Sequence, residues 1–181
     1  MNTKKIFTIA ILAISIIGMV YLLVFDKPAD KVEARTEVVE AKHREQQNKS
    51  ELINAEGERL NFADFKGKVV FINNWASWCP PCIAEMPTIE KLKNEFSEKD
   101  LAFVMVSFDQ DPKKGLNWMR KKEFDLPVYF PGQNYPQQYL TDVIPASFIL
   151  DKEGKLLHTQ MGMADYSNPD FIRQMKAWIN Q

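Results

Sequence analysis

Only two cysteines occur among the 181 residues, and they stand three positions apart, at Cys79 and Cys82. That scarcity excludes the disulfide-stapled architecture of small secreted domains. A bond between these two would close so small a loop that it restrains little of the unfolded chain, so chemistry accounts for the pair better than stability does. An excess of one charge is also absent: 23 Lys and Arg face 24 Asp and Glu. The basic residues are scattered among carboxylates instead of gathered into a stripe, and the electrostatic footprint that nucleic acid requires is missing. No internal repeat or low-complexity tract is present. At this length the chain accommodates one compact domain with accessory segments, not two full domains.

A long apolar run is present. After residues 1–5, with Lys4 and Lys5, residues 6–25 from Ile6 to Phe25 carry no charge. At ~1.5 Å per residue, such a helix covers the ~30 Å bilayer core. The preceding lysines favour a cytoplasmic amino terminus and place the remainder on the extracytoplasmic, periplasmic or cell-surface side. A cleaved signal peptide is the competing reading, but its apolar region is normally shorter and ends at small residues. Asp26, Lys27 and Pro28 follow instead, and an uncleaved signal anchor is preferred. Lipoprotein acylation would need a cysteine at the end of the run, where none stands. Residues 26–50 are polar and mixed in charge, too poor in large apolar groups to form a core. They read as a tether, with a solvated helix or partner-binding segment as the alternative.

Residues 51–181 have the texture of a folded domain. Leu52, Ile53, Leu60 and Phe62 flank Glu56-Gly57, which predicts an N-terminal β-hairpin. Val69 to Ile72 is β-branched and aromatic, as in a buried central strand. Helical spacing from Ile83 to about Glu98 puts Met86, Ile89, Leu92 and Phe96 on one side, with Pro87 expected to kink or restart the helix. Leu101 to Phe108 predicts a strand, Asp111-Pro112 opens a helix to about Lys122 with Leu116 and Met119 inward, and Leu126 to Phe130 predicts another strand. Ala146–Leu150 and Leu156–Thr159 form strands joined by the Asp151-Lys152-Glu153-Gly154 turn. Phe171, Met175 and Trp178 mark a closing helix. The sum is an α/β sandwich around a central mixed β-sheet flanked by helices.

Trp78-Cys79-Pro80-Pro81-Cys82 stands where a strand ends and a helix begins. Free N–H groups and the dipole at a helix amino terminus lower a thiol pKa, so Cys79 can be thiolate near neutral pH and attack a partner's disulfide. Cys82, one turn later, is placed to resolve the mixed disulfide, and Pro80 and Pro81 stiffen the turn and tune its potential. A pair of zinc ligands or two buried thiols is the alternative, but zinc usually takes four ligands and there is no second cysteine pair. His43 and His158 lie in the tether and on a late strand, and they receive no role. No metal and no cofactor are implied.

The stretch from Phe71 to Pro87, with Asn73-Asn74-Trp75-Ala76-Ser77-Trp78 leading into the cysteine pair and Ile83-Ala84-Glu85-Met86 following it, resembles the active site of TlpA/ResA-type thioredoxin-like proteins. The resemblance covers about residues 50–181 and extends to Val143-Ile144-Pro145-Ala146, which looks like that family's cis-proline loop. It implies a thioredoxin-like fold with an inserted strand-helix unit between Cys82 and Pro145. It also implies a redox disulfide between Cys79 and Cys82, a cis Ile144–Pro145 bond facing it, and substrate contact by the Ile144 backbone. An ordinary trans loop proline remains the alternative. Glu85 is implied to be an acidic residue that modulates cysteine ionisation or relays a proton, the alternative being a surface glutamate. Thioredoxin's buried aspartate, six residues before its first cysteine, is replaced by Asn73, which cannot titrate. Asn74 stands where the family commonly has an aromatic residue. Trp75 reads as core and Trp78 as a contact surface.

The function so implied is extracytoplasmic reduction of protein disulfides, with electrons from a membrane thiol donor and with cytochrome c maturation as one setting. The protein is expected to be a monomer. A disulfide oxidase or isomerase, separated by reduction potential, and a non-catalytic thioredoxin-like binding module are the alternatives. A peroxidase is a weaker reading, because peroxiredoxins use a lone peroxidatic cysteine in a different local context.

Overall fold

A computed structural model describes residues 51–181, together with the isolated helical positions 19, 38, 39, 41, 42 and 45. The expected anchor at 6–25 and tether at 26–50 therefore lie outside the described residues, apart from those six positions. Among the described residues, no helix is long and apolar enough to cross a membrane.

The fold grows from β3 (Val69–Trp75), a strand buried along its whole length. Alternate side chains point to opposite faces. Val69, Phe71 and Trp75 thus enter one apolar core, and Val70 and Ile72 enter a second on the far face. Burying both faces requires neighbours on both edges, and β3 has them: β4 (Leu101–Ser107) pairs parallel on one side and β6 (Ala146–Leu150) antiparallel on the other. Parallel pairing with β5 (Val128–Pro131) and antiparallel pairing with β1 (Leu52–Asn54), β2 (Arg59–Leu60) and β7 (Leu156–Met161) complete a mixed seven-stranded sheet ordered β2-β1-β5-β4-β3-β6-β7. Within residues 51–181, three α-helices follow in chain order: α1 (Pro80–Asn94), α2 (Pro112–Lys121) and α3 (Pro169–Ile179). The expected α/β sandwich is present, with its amino-terminal hairpin turned at Gly57, whose φ of +85° suits glycine. The expected insertion is present as the α2–β5 segment.

Several boundaries differ from expectation. Helix α1 starts at Pro80 instead of Ile83, because proline suits the first helical position, where no N–H is required. It runs through Pro87 as one element, with that proline on its exposed side, and is neither interrupted nor restarted there. It stops at Asn94, short of Glu98, where the Ser97 hydroxyl and carbonyl take up the N–H groups of Lys99 and Asp100 and turn the chain toward β4. Phe62 belongs to a short 3-10 helix at Phe62–Phe65, not to the hairpin. Strand β5 begins at Val128, two residues later than expected, because Pro127 has no N–H to give the ladder; its carbonyl instead accepts from Met105.

Phe71 is the packing centre beneath α1, fully buried, with its ring 5.3 Å from Phe103 and 4.9 Å edge-on to Tyr166. Phe71→Ala removes most of that volume where neighbours on a central strand cannot collapse inward. It is expected to cost about 3–5 kcal/mol, read as a lower denaturation midpoint at unchanged slope. A loss under about 1.5 kcal/mol would contradict this packing.

Candidate active site

At the carboxyl end of β3, Ala76–Cys79 forms a turn closed by the Cys79 N–H on the Ala76 carbonyl at 3.1 Å. Cys79 is the N-cap of α1: its backbone is extended, and its sulfur accepts from the Cys82 N–H at 3.3 Å. A sulfur here occupies the place that a capping oxygen usually takes and meets the positive end of the helix dipole. Cys79 and Cys82 are joined as a disulfide with a Cα–Cα distance of 5.3 Å. Both sulfurs sit in largely buried residues, while Pro80 and Pro81 are exposed and Trp78 stands 63% exposed beside them.

The Ile144–Pro145 bond is cis. The Ile144 carbonyl lies 3.8 Å from Cys79 Sγ, and the Pro145 carbonyl accepts from the Gly162 N–H at 2.8 Å. The proline loop therefore faces the disulfide, held by the end of β7. Val143, beside Ile144, and Met163, beside Gly162, are exposed apolar residues, as is Trp78.

Glu85 is not a surface residue. It lies on the buried side of α1, three residues after Cys82, and is 1% exposed. Strand alternation explains its partners. Asn73 shares the face of Phe71 and Trp75 that α1 covers, and its amide donates to Glu85 Oε1 at 2.8 Å and to Ser147 Oγ at 2.9 Å. The Ala164 N–H donates to Glu85 Oε2 at 3.1 Å, and the Tyr166 hydroxyl donates to Ser147 at 2.7 Å. Burial pushes the Glu85 carboxyl up to about 7, and the Ala164 and Asn73 donors hold it back from rising further. Asn74 points to the opposite face, where its amide donates to the Tyr139 carbonyl at 2.6 Å and its oxygen accepts from the Tyr135 hydroxyl at 3.0 Å. An amide thus replaces the family's aromatic residue with both of its polar ends satisfied.

The structure gathers Trp78, Cys79, Pro80, Pro81, Cys82, Ile144 and Pro145 at one end of the sheet, with Glu85 beneath them. It adds Ser147, Tyr166 and the Ala164 N–H, which sequence reasoning missed. Ser147 had a signal, a polar residue at an inward position of an apolar strand; Tyr166, in a loop, had none. Among the described residues, no three His, Cys, Asp or Glu side chains gather as metal ligands would. His158 lies on β7 with its ring 5.9 Å from Trp178.

A central mixed sheet, a cysteine pair opening a helix, and a cis proline opposite it define a thioredoxin-like fold. The Redoxin family model matches residues 30–171, and the chain belongs to that family. The thiol-disulfide oxidoreductase ResA of Bacillus thuringiensis subsp. konkukian is 32% identical over 108 residues, which cover 59% of this chain and 62% of the relative. The thioredoxin-like protein YneN of Bacillus subtilis is 33% identical over 109 residues, covering 59% of this chain and 64% of the relative. The chain thus spans less than two thirds of either. Among solved structures, the exposed lipoprotein thioredoxin Etrx1 of Streptococcus pneumoniae is similar at a TM-score of 0.56 and 29% identity, over 70% of this chain and 97% of that one.

A carboxyl raised from 4.5 to about 7 on folding binds more protons in the native state than in the unfolded state between those values. Its contribution to stability is present below pH 4.5 and is lost as pH rises through about 7. The oxidised protein is therefore expected to lose up to about 3 kcal/mol from this group across that window. Denaturation at pH 4.5 and pH 8 should show the slope in the wild type and a flatter profile in Glu85→Gln. Equal slopes would show that Glu85 does not titrate there.

Proposed function

We propose that the protein is a thiol-disulfide oxidoreductase that reduces disulfides of partner proteins. The carrying observation is Cys79 Sγ at the amino terminus of α1, within hydrogen-bond reach of the Cys82 N–H and facing the cis-proline loop. The names of the ResA relatives support the same chemistry.

With the pair reduced, the Cys79 thiolate attacks a partner disulfide. One S–S bond forms as another breaks, and the first partner sulfur leaves as a thiolate that takes up a proton. Cys82 then gives up its proton and attacks Cys79 Sγ, forming the intramolecular disulfide and releasing the second partner sulfur. Two electrons pass to the partner. Glu85, three residues along the same buried helix face, is an acceptor for the Cys82 proton, since a carboxyl near 7 exchanges protons readily at neutral pH. Trp78, Val143 and Met163 receive apolar side chains around the partner's cysteine, while the Ile144 backbone pairs with its chain. A membrane thiol donor returns Cys79–Cys82 to the dithiol.

The setting is extracytoplasmic. The uncharged run at 6–25, after Lys4 and Lys5, supports a membrane anchor, and 26–50 a tether. Resemblance to ResA-type proteins points to apocytochrome c among the substrates.

Insulin reduction driven by dithiothreitol tests the chemistry. The wild type is expected to accelerate it, Cys79→Ser to lose at least about 10²-fold of that rate, and Cys82→Ser to accumulate a mixed disulfide visible on non-reducing gels. Full activity in Cys79→Ser would overturn the assignment. For the setting, alkaline carbonate should leave the full chain in the membrane pellet and release a chain lacking residues 1–25; release of both would remove the anchor.

A further inference from the structure

Four residues outside the cysteine motif's own chemistry converge in space. Asp109, just past β4, is 8% exposed. Its Oδ2 accepts from the Ser77 N–H at 3.0 Å and the Ser107 hydroxyl at 2.9 Å, and its Oδ1 accepts from the Ser77 hydroxyl at 2.7 Å. Ser107 Oγ in turn accepts the Asp109 N–H at 3.2 Å. Gly115 lies inside α2, where glycine costs about 1 kcal/mol relative to alanine. A Cβ there would stand 2.7 Å from Ser107 Oγ and 3.1 Å from Asp109 Oδ2. Glycine is what lets α2 close over the cluster.

Ser77 and Trp78 are the two central residues of the Ala76–Cys79 turn. Asp109 grips the first of them by backbone and side chain at once, two residues before Cys79. Next to it, the Phe108 N–H donates to the Trp75 carbonyl at 2.8 Å, which fixes Asp109 against the end of β3. Trp78 is left to point outward while Cys79 turns in.

We propose that Asp109 is a positioning residue for Cys79, a carboxylate clip that fixes the Ala76–Cys79 turn and with it the sulfur at the amino terminus of α1. The inference rests on the oxidoreductase reading above and adds to it a residue from outside the motif. Stabilisation of a thiolate by the helix end falls away within the first turn. A turn that wanders therefore spends less time with its sulfur where the thiolate is favoured.

The test compares Asp109→Ala with Asp109→Asn in the full chain. Both remove the charge. Only asparagine keeps an acceptor for the Ser77 N–H and an amide for a rotated Ser77 hydroxyl, so the pair separates positioning from charge. In the reduced protein, Asp109→Ala is expected to alkylate at Cys79 about tenfold more slowly at pH 7 than Asp109→Asn. Its thiol midpoint should lie higher, and the reduction potential of the pair should differ between the two variants. Equal Cys79 profiles and potentials in the two variants, with only thermal stability lowered in Asp109→Ala, would overturn the proposal and leave Asp109 to the fold. Should Asp109→Ala not fold, Ser77→Ala, which removes one hydroxyl, should raise the midpoint by a smaller step; an unchanged profile there overturns the proposal equally. Alkylation needs no protein substrate. A wild type inactive on insulin would thus sink the oxidoreductase reading without touching the clip.

Discussion

The contact on which the site depends is the Cys82 N–H aimed at Cys79 Sγ, at the first turn of α1. A helix amino terminus has N–H groups that nothing within the helix can satisfy, and a sulfur placed there is favoured as a thiolate. The surrounding sequence serves that placement. A strand buried on both faces fixes where the chain leaves the sheet, and a turn reverses it. Pro80 starts the helix without wasting a donor. The cis-proline loop brings the Ile144 carbonyl to 3.8 Å from the same sulfur.

Beneath the disulfide, a second constraint works against simple stability. A fully apolar interior between β3, β6 and α1 would fold at least as readily as one holding Glu85, Asn73, Ser147 and Tyr166. Asn73 and Ser147 are paired in register on adjacent strands, so the polar layer crosses the sheet directly under the site. Burial disfavours the Glu85 anion, and two N–H donors favour it, leaving the carboxyl near neutrality. This is the range in which a group both takes and returns a proton at physiological pH. A local rule of core composition is broken where chemistry needs it broken, a common mark of functional sites.

Much of this was legible in the chain itself. The β-branched run before Trp-Cys-Pro-Pro-Cys announced the buried strand and the helix start, and Gly57 and Gly154 marked the hairpin turns. The cis bond at Pro145 and the importance of Glu85 came through resemblance, because neither has a local signature. Pro87 misled: its ring faces outward, and a helix tolerates the loss of one hydrogen bond when its apolar side is firmly packed by Met86, Ile89 and Leu92. Tyr166 and Asp109 were illegible for a different reason. Each lies in a connecting segment without periodicity, and each acts on a residue far away in sequence, Ser147 from one side and Ser77 from the other. Only the pairing of β3 with β4 and β6 brings them to the site.

The central proposal is that the Cys79/Cys82 dithiol donates electrons to partner disulfides. The equilibrium reduction potential of the Cys79/Cys82 couple, titrated in a thiol-disulfide buffer, tests it most directly. A value near or below about −230 mV is predicted, in the range of thioredoxins and glutaredoxins. A value near −120 to −180 mV would contradict the account, because a pair poised there accepts electrons from partner thiols and acts as an oxidase or isomerase.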